Sequence, residues 1–154
     1  ARALKFQGRN MLIRIAIEED LSVLSAQFDL YRQSLGQLPA PNDSRDFIQS
    51  RLQENDSVIF IAQLESEILG FIQLYPSFSS RLLKPLWYFD DIFVVESQRN
   101  KGIATALIHK AKELADETNV LAVRREHLDE DGFLMIDNDD SKSAFASFSR
   151  AAII

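Results

Sequence analysis

The sequence predicts a single α/β domain built on a mixed, mostly antiparallel sheet flanked by helices. Strand-like segments occur both as a tight hairpin and on either side of helices, so the strands cannot all be parallel. One long amphipathic helix follows the longest strand. No linker or change of composition divides the 154 residues, which are enough for one hydrophobic core.

The first part of the chain predicts a strand and two helices. The β-branched segment "MLIRIAI" (11–17) is typical of a strand. Helical spacing then predicts a helix that ends at Gly36, and after "LPAPND" a second helix begins at a cap on Asp43 or Ser44. The apolar faces of these helices consist of Leu21, Leu24, Phe28 and Tyr31, and of Phe47, Ile48 and Leu52.

The middle of the chain predicts three strands and the clearest helix. Strands at 57–64 and 68–75 flank the polar turn "ESE", and the aromatic "PLWYFDDIFVVE" (85–96) forms a longer strand. A helix over 102–117 follows, with an unbroken apolar stripe. The stripe consists of Ala104, Leu107, Ile108, Ala111, Leu114 and Ala115.

Composition and charge exclude several classes of function. The chain has no cysteine, so thiolate metal sites and thiol nucleophiles are absent, and neither histidine has spaced ligands beside it. A formal charge of -6 disfavours nucleic acid as a partner and suits a small cationic one. No apolar run approaches the ~20 residues that span a bilayer, and we expect a cytoplasmic protein without a metal.

The first ten residues, "ARALKFQGRN", differ in charge from the rest. They hold three basic residues and no acidic one, and they lack the apolar region of a signal peptide. We therefore expect residues 1–10 to be the remnant of a cleavable tag and residues 11–154 to be the domain. Without those basic residues the formal charge is about -9.

The stretch "QRNKGIATALIHKAKELA" (98–115) places a single glycine where a strand gives way to a helix. A helix N-terminus presents unpaired amides and the positive end of the helix dipole, so it can hold a phosphate if the backbone allows close approach. Gly102 would supply that approach, Ala104 is small, and Arg99 and Lys101 add positive charge. The spacing alone is equally typical of an ordinary helix start.

Together with the strand before it, this stretch resembles motif A of the GNAT superfamily of acyl-CoA-dependent N-acetyltransferases. In that family a strand ending hydrophobic-x-Val is followed by Arg/Gln-x-x-Gly-x-Gly/Ala at the start of a helix. Here "DDIFVV", "ESQ" and "RNKGIA" take those places, and the order of elements over 11 to about 117 also matches. The resemblance implies a GNAT-like fold with splayed central strands, and transfer of an acetyl group from acetyl-CoA to a primary amine.

The resemblance also implies where acetyl-CoA would bind. Its pyrophosphate would lie on the amides of the loop, and its pantetheine arm would pair with the end of the strand, where an amide near Val94 would hold the oxyanion. The cofactor-binding residues expected on this basis are Phe93, Val94, Arg99, Asn100, Lys101, Gly102, Ile103, Ala104 and Thr105.

Two adjacent carboxylates, Asp90 and Asp91, are the candidate catalytic residues. Strands disfavour aspartate, and an attacking amine must first lose a proton to a base. In a regular strand the two point to opposite faces, so only one can face a given cleft. The alternative is that one faces solvent while the other caps a turn or pairs with an arginine.

The strand also resembles that of the diamine (polyamine) acetyltransferase branch. There the first acidic residue is the proposed base and the second helps to hold the cationic amine. Asp90 is one methylene shorter than the glutamate of that branch and would need a water relay. Trp87, Tyr88 and Tyr31 would contact the amine substrate, although the first two are equally compatible with a core.

The C-terminal part, 119–154, departs from the family pattern. "VLAVRRE" is typical of a strand, and Ser141 or Ser143 could cap a last helix. Many members carry a tyrosine on that helix which protonates the departing thiolate, but here Phe148 takes its place and has no proton to give. The strand that usually follows is missing, so we expect a homodimer to cover the open edge.

Two other functions are compatible with the sequence. The first is a non-catalytic acyl-CoA-binding or oligomerising module that keeps the loop and has lost turnover. The second is an α/β binding domain that takes no CoA at all.

Overall fold

The computed structural model of the protein describes residues 3–124, 127, 128, 134 and 135. The strands are β1 (Ala3–Phe6), β2 (Arg9–Ile15), β3 (Val58–Leu64), β4 (Glu67–Ser79), β5 (Lys84–Val94), β6 (Leu121–Arg124), β7 (His127–Leu128) and β8 (Leu134–Met135). The helices are α1 (Leu21–Ser34), α2 (Pro41–Glu54) and α3 (Ile103–Thr118), with single 3-10 turns at Glu18–Asp20 and Glu96–Gln98. The predictions for Ser141, Ser143, Phe148 and the missing last strand lie outside the described residues.

Six strands form one sheet in the order in which they follow along the chain, β1 to β6. Each neighbouring pair is antiparallel except β5 and β6, which are parallel and joined through α3. The predicted α/β fold with a mixed, mostly antiparallel sheet is confirmed, and β6 confirms the strand predicted in "VLAVRRE". β7 and β8 pair with each other in a separate two-stranded ribbon.

The sheet splays open beside β5. This strand pairs with β4 along its whole length, Lys84–Val94, whereas its pairing with β6 covers only Leu86–Phe89. The last five residues of β5 therefore present a free edge towards β6 among the residues that the structure describes. The splayed central strands expected from the family resemblance are present.

A hydrophobic core lies on each face of the sheet. On one face α3 packs through Ile103, Leu107 and Ala111, all at most 1% exposed. On the other face α1 and α2 pack through Leu24, Phe28, Tyr31 and Ile48. These residues belong to the helix faces predicted from spacing, whereas Phe47, which was predicted on the apolar face of α2, is 37% exposed and stacks on Phe28. No helix in the described part of the chain has the length and apolar character needed to cross a membrane.

Some element boundaries differ from those predicted. Residues 3–6 and 9–10, which were expected to belong to a tag remnant, lie in the β1–β2 hairpin, and Phe6 is buried. The predicted cap of α2 is wrong, since the helix begins at Pro41, whose fixed φ favours the first helical position. Ser44 instead donates a 2.7 Å hydrogen bond to the carboxylate of Asp29 on α1.

Gly70 on β4 allows the close packing of β4 against the end of β5. Its partner in the register is Val94, and a Cβ at this position would collide with the backbone carbonyl of Phe93. A glycine is therefore required where the two backbones approach each other. This contact fixes the position of the free edge of β5.

Candidate functional site

The start of α3 has the backbone geometry of an anion-binding turn. Gly102 precedes the helix with φ +90°, and Asn100 two residues earlier has φ +63°. Such left-handed conformations favour Gly and Asn, and they turn successive backbone N–H groups towards one side. No atom outside its chain neighbours lies within 4 Å of a Cβ built on Gly102, so the space above the loop is open.

The first amides of α3 have no partner inside the helix. The first intrahelical bond is that from the Ala106 N–H to the Gly102 carbonyl, 3.0 Å, so the N–H groups of residues 103–105 point out of the N-terminus. No acidic residue occupies the first turn. The positive end of the helix dipole is therefore available to an external anion.

A cleft of about 380 Å³ lies directly over this turn. Seven of the nine residues predicted to bind the cofactor line it, namely Val94, Arg99, Asn100, Gly102, Ile103, Ala104 and Thr105. Ile92 and Gln98 also line it and were not predicted. The cleft runs from the helix N-terminus to the free edge of β5, so a phosphate and an extended chain attached to it can be held together.

The two other residues predicted to bind the cofactor do not line the cleft. The ring of Phe93 is buried on the opposite face of the sheet, with its centroid 6.0 Å from that of Phe71. The Lys101 amine donates to the Ser97 carbonyl and to Gln98 Oε1, both at 3.3 Å. Phe93 can then contribute to ligand binding in the cleft only through its backbone, and Lys101 only through its charge.

Arg99 joins the loop to the end of β5. Its Nε donates a 2.8 Å hydrogen bond to the Val94 carbonyl, and its guanidinium carbon lies 5.4 Å from the centroid of the Phe93 ring. Arg99 is also one of the residues that line the cleft. Arg99 therefore holds the loop against the end of β5 and adds a positive charge to that loop.

The free edge of β5 offers amides to a ligand. The Val95 N–H donates to the Leu69 carbonyl of β4 at 2.8 Å. Because N–H directions alternate along a strand, we infer that the N–H groups of Ile92 and Val94 point away from β4, towards the splayed edge. These are the groups that can pair with an extended amide chain or hold an oxyanion.

A β-bulge at Asp90 changes the direction of the side chains along β5. Gln73 pairs with Asp91 and Leu74 with Phe89, so Asp90 is the residue inserted at the shift of register. Phe89 packs with the core under α3, whereas Asp91 reaches Tyr31 on α1. In a regular strand, residues two positions apart share a face, so without the bulge Asp91 would lie on the face of Phe89.

The carboxylate of Asp91 accepts three hydrogen bonds. Tyr31 Oη donates to Oδ1 at 2.9 Å, and Oδ2 receives Tyr75 Oη at 2.8 Å and Gln73 Nε2 at 3.1 Å. Gln73 is fully buried, and its carbonyl accepts the Ser57 hydroxyl at 2.9 Å. No cation of the described residues forms an ion pair with Asp91.

The hydroxyl of Tyr31 keeps its proton across the physiological range. Burial of the phenol and the adjacent Asp91 carboxylate together raise the pKa of Tyr31 well above its usual value. The hydroxyl is directed at Asp91 and at the Asp90 carbonyl, 3.2 Å away. Tyr31 therefore acts as a hydrogen-bond donor at this site.

The structure separates the two aromatic residues predicted to contact the substrate. Tyr88 lies opposite Tyr75 in the β4–β5 register, so the two share the face of Asp91. Trp87 packs against the core under α3, where its Nε1 lies 3.4 Å from Thr118 Oγ1 near the end of that helix. Tyr31 and Tyr88 thus lie with Asp91, and Trp87 does not.

One residue of this polar cluster, Gln73, was not among the predicted site residues. The available signal was Gln73 itself, since a glutamine inside the apolar run "GFIQLY" must find partners when it is buried. No group of three or more histidine or acidic side chains in the described residues could hold a metal ion.

Comparisons with known proteins agree with this geometry. Residues 24–132 match the acetyltransferase (GNAT) family. An uncharacterized N-acetyltransferase of Bacillus subtilis (strain 168) is 35% identical over 119 residues, 76% of this chain and 80% of its own length. A "probable acetyltransferase" of Haemophilus influenzae (strain ATCC 51907 / DSM 11121 / KW20 / Rd) is 40% identical over 100 residues, 64% of this chain and 68% of its own.

Solved structures show the same fold. A crystal structure of a "probable acetyltransferase" is 40% identical, superposes with a TM-score of 0.69, and covers 78% of this chain and 80% of its own. A "predicted acetyltransferase" from Clostridium acetobutylicum, with acetyl-CoA, has a TM-score of 0.65 at 18% identity and covers 86% of this chain and 99% of its own. The fold, the glycine turn at the start of α3 and these relatives together lead to one conclusion: the chain belongs to the GNAT family and is an acetyltransferase.

Proposed function

We propose that the protein transfers the acetyl group of acetyl-CoA to a primary amine of the polyamine, amino-acid-like or lysine type. The observation that carries the proposal is the continuity of the cleft at Gly102 with the free edge of β5. Asp91 lies on the other face of the same strand. A thioester held at that edge would lie between the phosphate-binding turn and the carboxylates.

In this proposal the pyrophosphate of acetyl-CoA binds the amides of residues 103–105 and the guanidinium of Arg99. The pantetheine amides pair with the N–H and C=O groups that β5 leaves free towards β6. The Val94 N–H then donates to the thioester oxygen, and its hydrogen bond strengthens as negative charge develops there during attack.

The chemical step is direct attack by the neutral amine on the thioester carbon. A C–N bond forms and the C–S bond breaks, the nitrogen gives up one proton as the amide forms, and CoA leaves as a thiolate that takes up one proton, so the step is balanced. The amine must first lose one proton, which Asp90 would take through a water molecule. The hydroxyl of Tyr31 is already bonded to Asp91, so it is a poor candidate for protonating the thiolate.

The side of β5 that carries Asp91, here called the acceptor side because the amine would bind there, has a charge that favours a cationic substrate. Asp91 carries a carboxylate that no basic side chain of the described residues neutralises, and Asp90 is its neighbour. An ammonium group of the substrate can pair with this carboxylate, which is the basis for proposing an amine with a second cationic group. The expectations of a homodimer and of a cytoplasmic location rest on the sequence alone.

Turnover of defined amines tests this function. The purified protein is incubated with acetyl-CoA and, separately, spermidine, lysine or an N-terminal peptide, and the free thiol of released CoA is measured. Release that depends on the amine, with the acetylated amine found by mass spectrometry, supports the proposal. Binding of acetyl-CoA without turnover of any of these amines would instead favour the non-catalytic module.

A further inference from the structure

The acceptor side proposed above depends on a bulge that needs support. Asp90 is the extra residue of β5, and both flanking residues keep their register with β4. An inserted residue interrupts the regular alternation of the strand and bends it. Contacts from outside the β4–β5 ladder can therefore help to hold this segment in one conformation.

Tyr31 contacts the bulge at two points. Its hydroxyl lies 2.9 Å from Asp91 Oδ1 and 3.2 Å from the Asp90 carbonyl. The hydroxyl has one proton for two acceptors, and the charged carboxylate is the stronger one. Without the charge on Asp91, the hydroxyl could turn to the Asp90 carbonyl. The Tyr31 hydroxyl therefore connects the Asp91 carboxylate with the backbone of the bulge.

The ring of Tyr31 is rigidly placed. It is 7% exposed, stands edge-on to Phe71 at 5.9 Å between centroids, and lies 6.2 Å from Phe28. A buried ring packed in this way brings the hydroxyl to the bulge at little further entropic cost. Tyr31 thereby connects helix α1 with strand β5.

Tyr75 offers a natural comparison. It donates to the other oxygen of Asp91 at 2.8 Å and accepts from Gln73 Nε2 at 2.6 Å. Tyr75 belongs to β4, the strand that already pairs with β5, whereas Tyr31 reaches the bulge from a separate helix. The titratable groups of the described residues that face Asp91 are thus Tyr31 from α1, Tyr75 from β4, and Tyr88 and Asp90 from β5 itself.

We infer that Tyr31 is a positioning residue for the acceptor site: its hydroxyl holds the bulge of β5 and thereby sets the places of Asp90 and Asp91. This inference rests on the proposed function for its catalytic consequence only. Tyr31 does not line the cleft at Gly102. Its loss should therefore affect the acceptor side and leave acetyl-CoA binding unchanged.

The test compares Tyr31→Phe with the matched control Tyr75→Phe. Each variant removes one hydroxyl donor to Asp91 and keeps the ring. Only Tyr31→Phe should speed amide hydrogen exchange at residues 90–92, by about tenfold or more. The dissociation constant for acetyl-CoA should stay within about twofold in both.

Measurement of kcat adds a second part to the test if an amine substrate is found. Displacement of reacting groups by about 1 Å can cost ~100-fold in rate, so Tyr31→Phe should lower kcat by about tenfold to a hundredfold, and more than Tyr75→Phe does. Equal exchange at residues 90–92 in the two variants would overturn the inference. The exchange measurement needs no amine, so failure of the proposed function is distinguishable from failure of the positioning role.

Discussion

The guanidinium of Arg99 lies against the strand that ends five residues before it, because its Nε donates to the Val94 carbonyl at 2.8 Å. That carbonyl lies on the edge of β5 that β6 leaves unpaired. The hydrogen bond therefore ties the turn at the start of α3, where we propose that the pyrophosphate binds, to the strand that would hold the thioester. One side chain links the two halves of the cleft.

Replacing Arg99 should weaken acetyl-CoA binding. Arg99→Gln removes both the charge at the cleft and the bond to Val94, and a hydrogen bond to a charged group contributes about 1.5–3 kcal/mol. The dissociation constant, measured by calorimetry, should rise about tenfold or more. Lys101→Gln is the matched control in the same loop, and its effect should be about threefold or less because Lys101 does not line the cleft. Equal effects of the two would contradict this role of Arg99.

The amide variants of Asp90 and Asp91 should change different kinetic constants. Loss of a general base costs about 10²–10⁴-fold in rate, so Asp90→Asn should lower kcat by about that factor with little change in KM for the amine. Asp91→Asn removes the charge that would hold the ammonium, so it should chiefly raise KM. Steady-state kinetics at saturating acetyl-CoA separates the two. A loss of kcat in Asp91→Asn alone would reverse the assignment.

Two buried carboxylates should make the fold sensitive to acid. Burial alone would raise the pKa of Asp20, but its bonds from Arg14, both 2.9 Å, and from the Ile17 N–H hold that pKa below the usual value. The Ser44 hydroxyl, with weaker opposition from burial, likewise lowers the pKa of Asp29. A lowered folded-state pKa gives stability that is present above the unfolded value, about 3.9, and is lost as pH falls below it.

The free energy of unfolding in urea should therefore decline as the pH falls below about 4. Asp20→Asn removes one of the responsible groups, so it should reduce the proton uptake on acid unfolding by about one. The exposed Asp46 provides the control, because Asp46→Asn should leave the slope unchanged. An unaltered slope in Asp20→Asn would show that the bonds from Arg14 do not act in this way.

The conformation of the turn at the start of α3 was predictable because its signals are local. Gly102 precedes a clear amphipathic helix, and positive φ at such a position is a property of the residue and its neighbours. The long strand was predictable from its aromatic and β-branched residues for the same reason. Hence the residues that line the cleft could be identified along one continuous segment.

The acceptor side was less predictable because it depends on one inserted residue. The expectation that Asp90 and Asp91 face opposite sides assumed regular alternation, and the bulge at Asp90 interrupts that alternation. Tyr88 and Asp91 share a face only because of it. Periodicity cannot locate a bulge, since the bulge is set by the register with β4.

Long-range partners were likewise beyond local reasoning. The contact between Tyr31 and Asp91 joins residues 60 positions apart, and Gln73 is 18 positions from Asp91. The cap of α2 was missed for a similar reason, since Ser44 bonds to Asp29 on another helix. Composition marks such residues as unusual, but only the fold shows which atoms they meet.

The central claim is that acetyl-CoA binds with its pyrophosphate over Gly102, and calorimetric titration of two variants tests it most directly. Gly102→Asp and Gly102→Asn impose the same backbone strain at φ +90° and nearly the same bulk, but only the first places a carboxylate beside the phosphates. We predict that the wild-type protein binds acetyl-CoA with a micromolar dissociation constant, that Gly102→Asn weakens binding moderately, and that Gly102→Asp abolishes it. Equal affinity in all three proteins, or no binding by the wild type, would contradict the account.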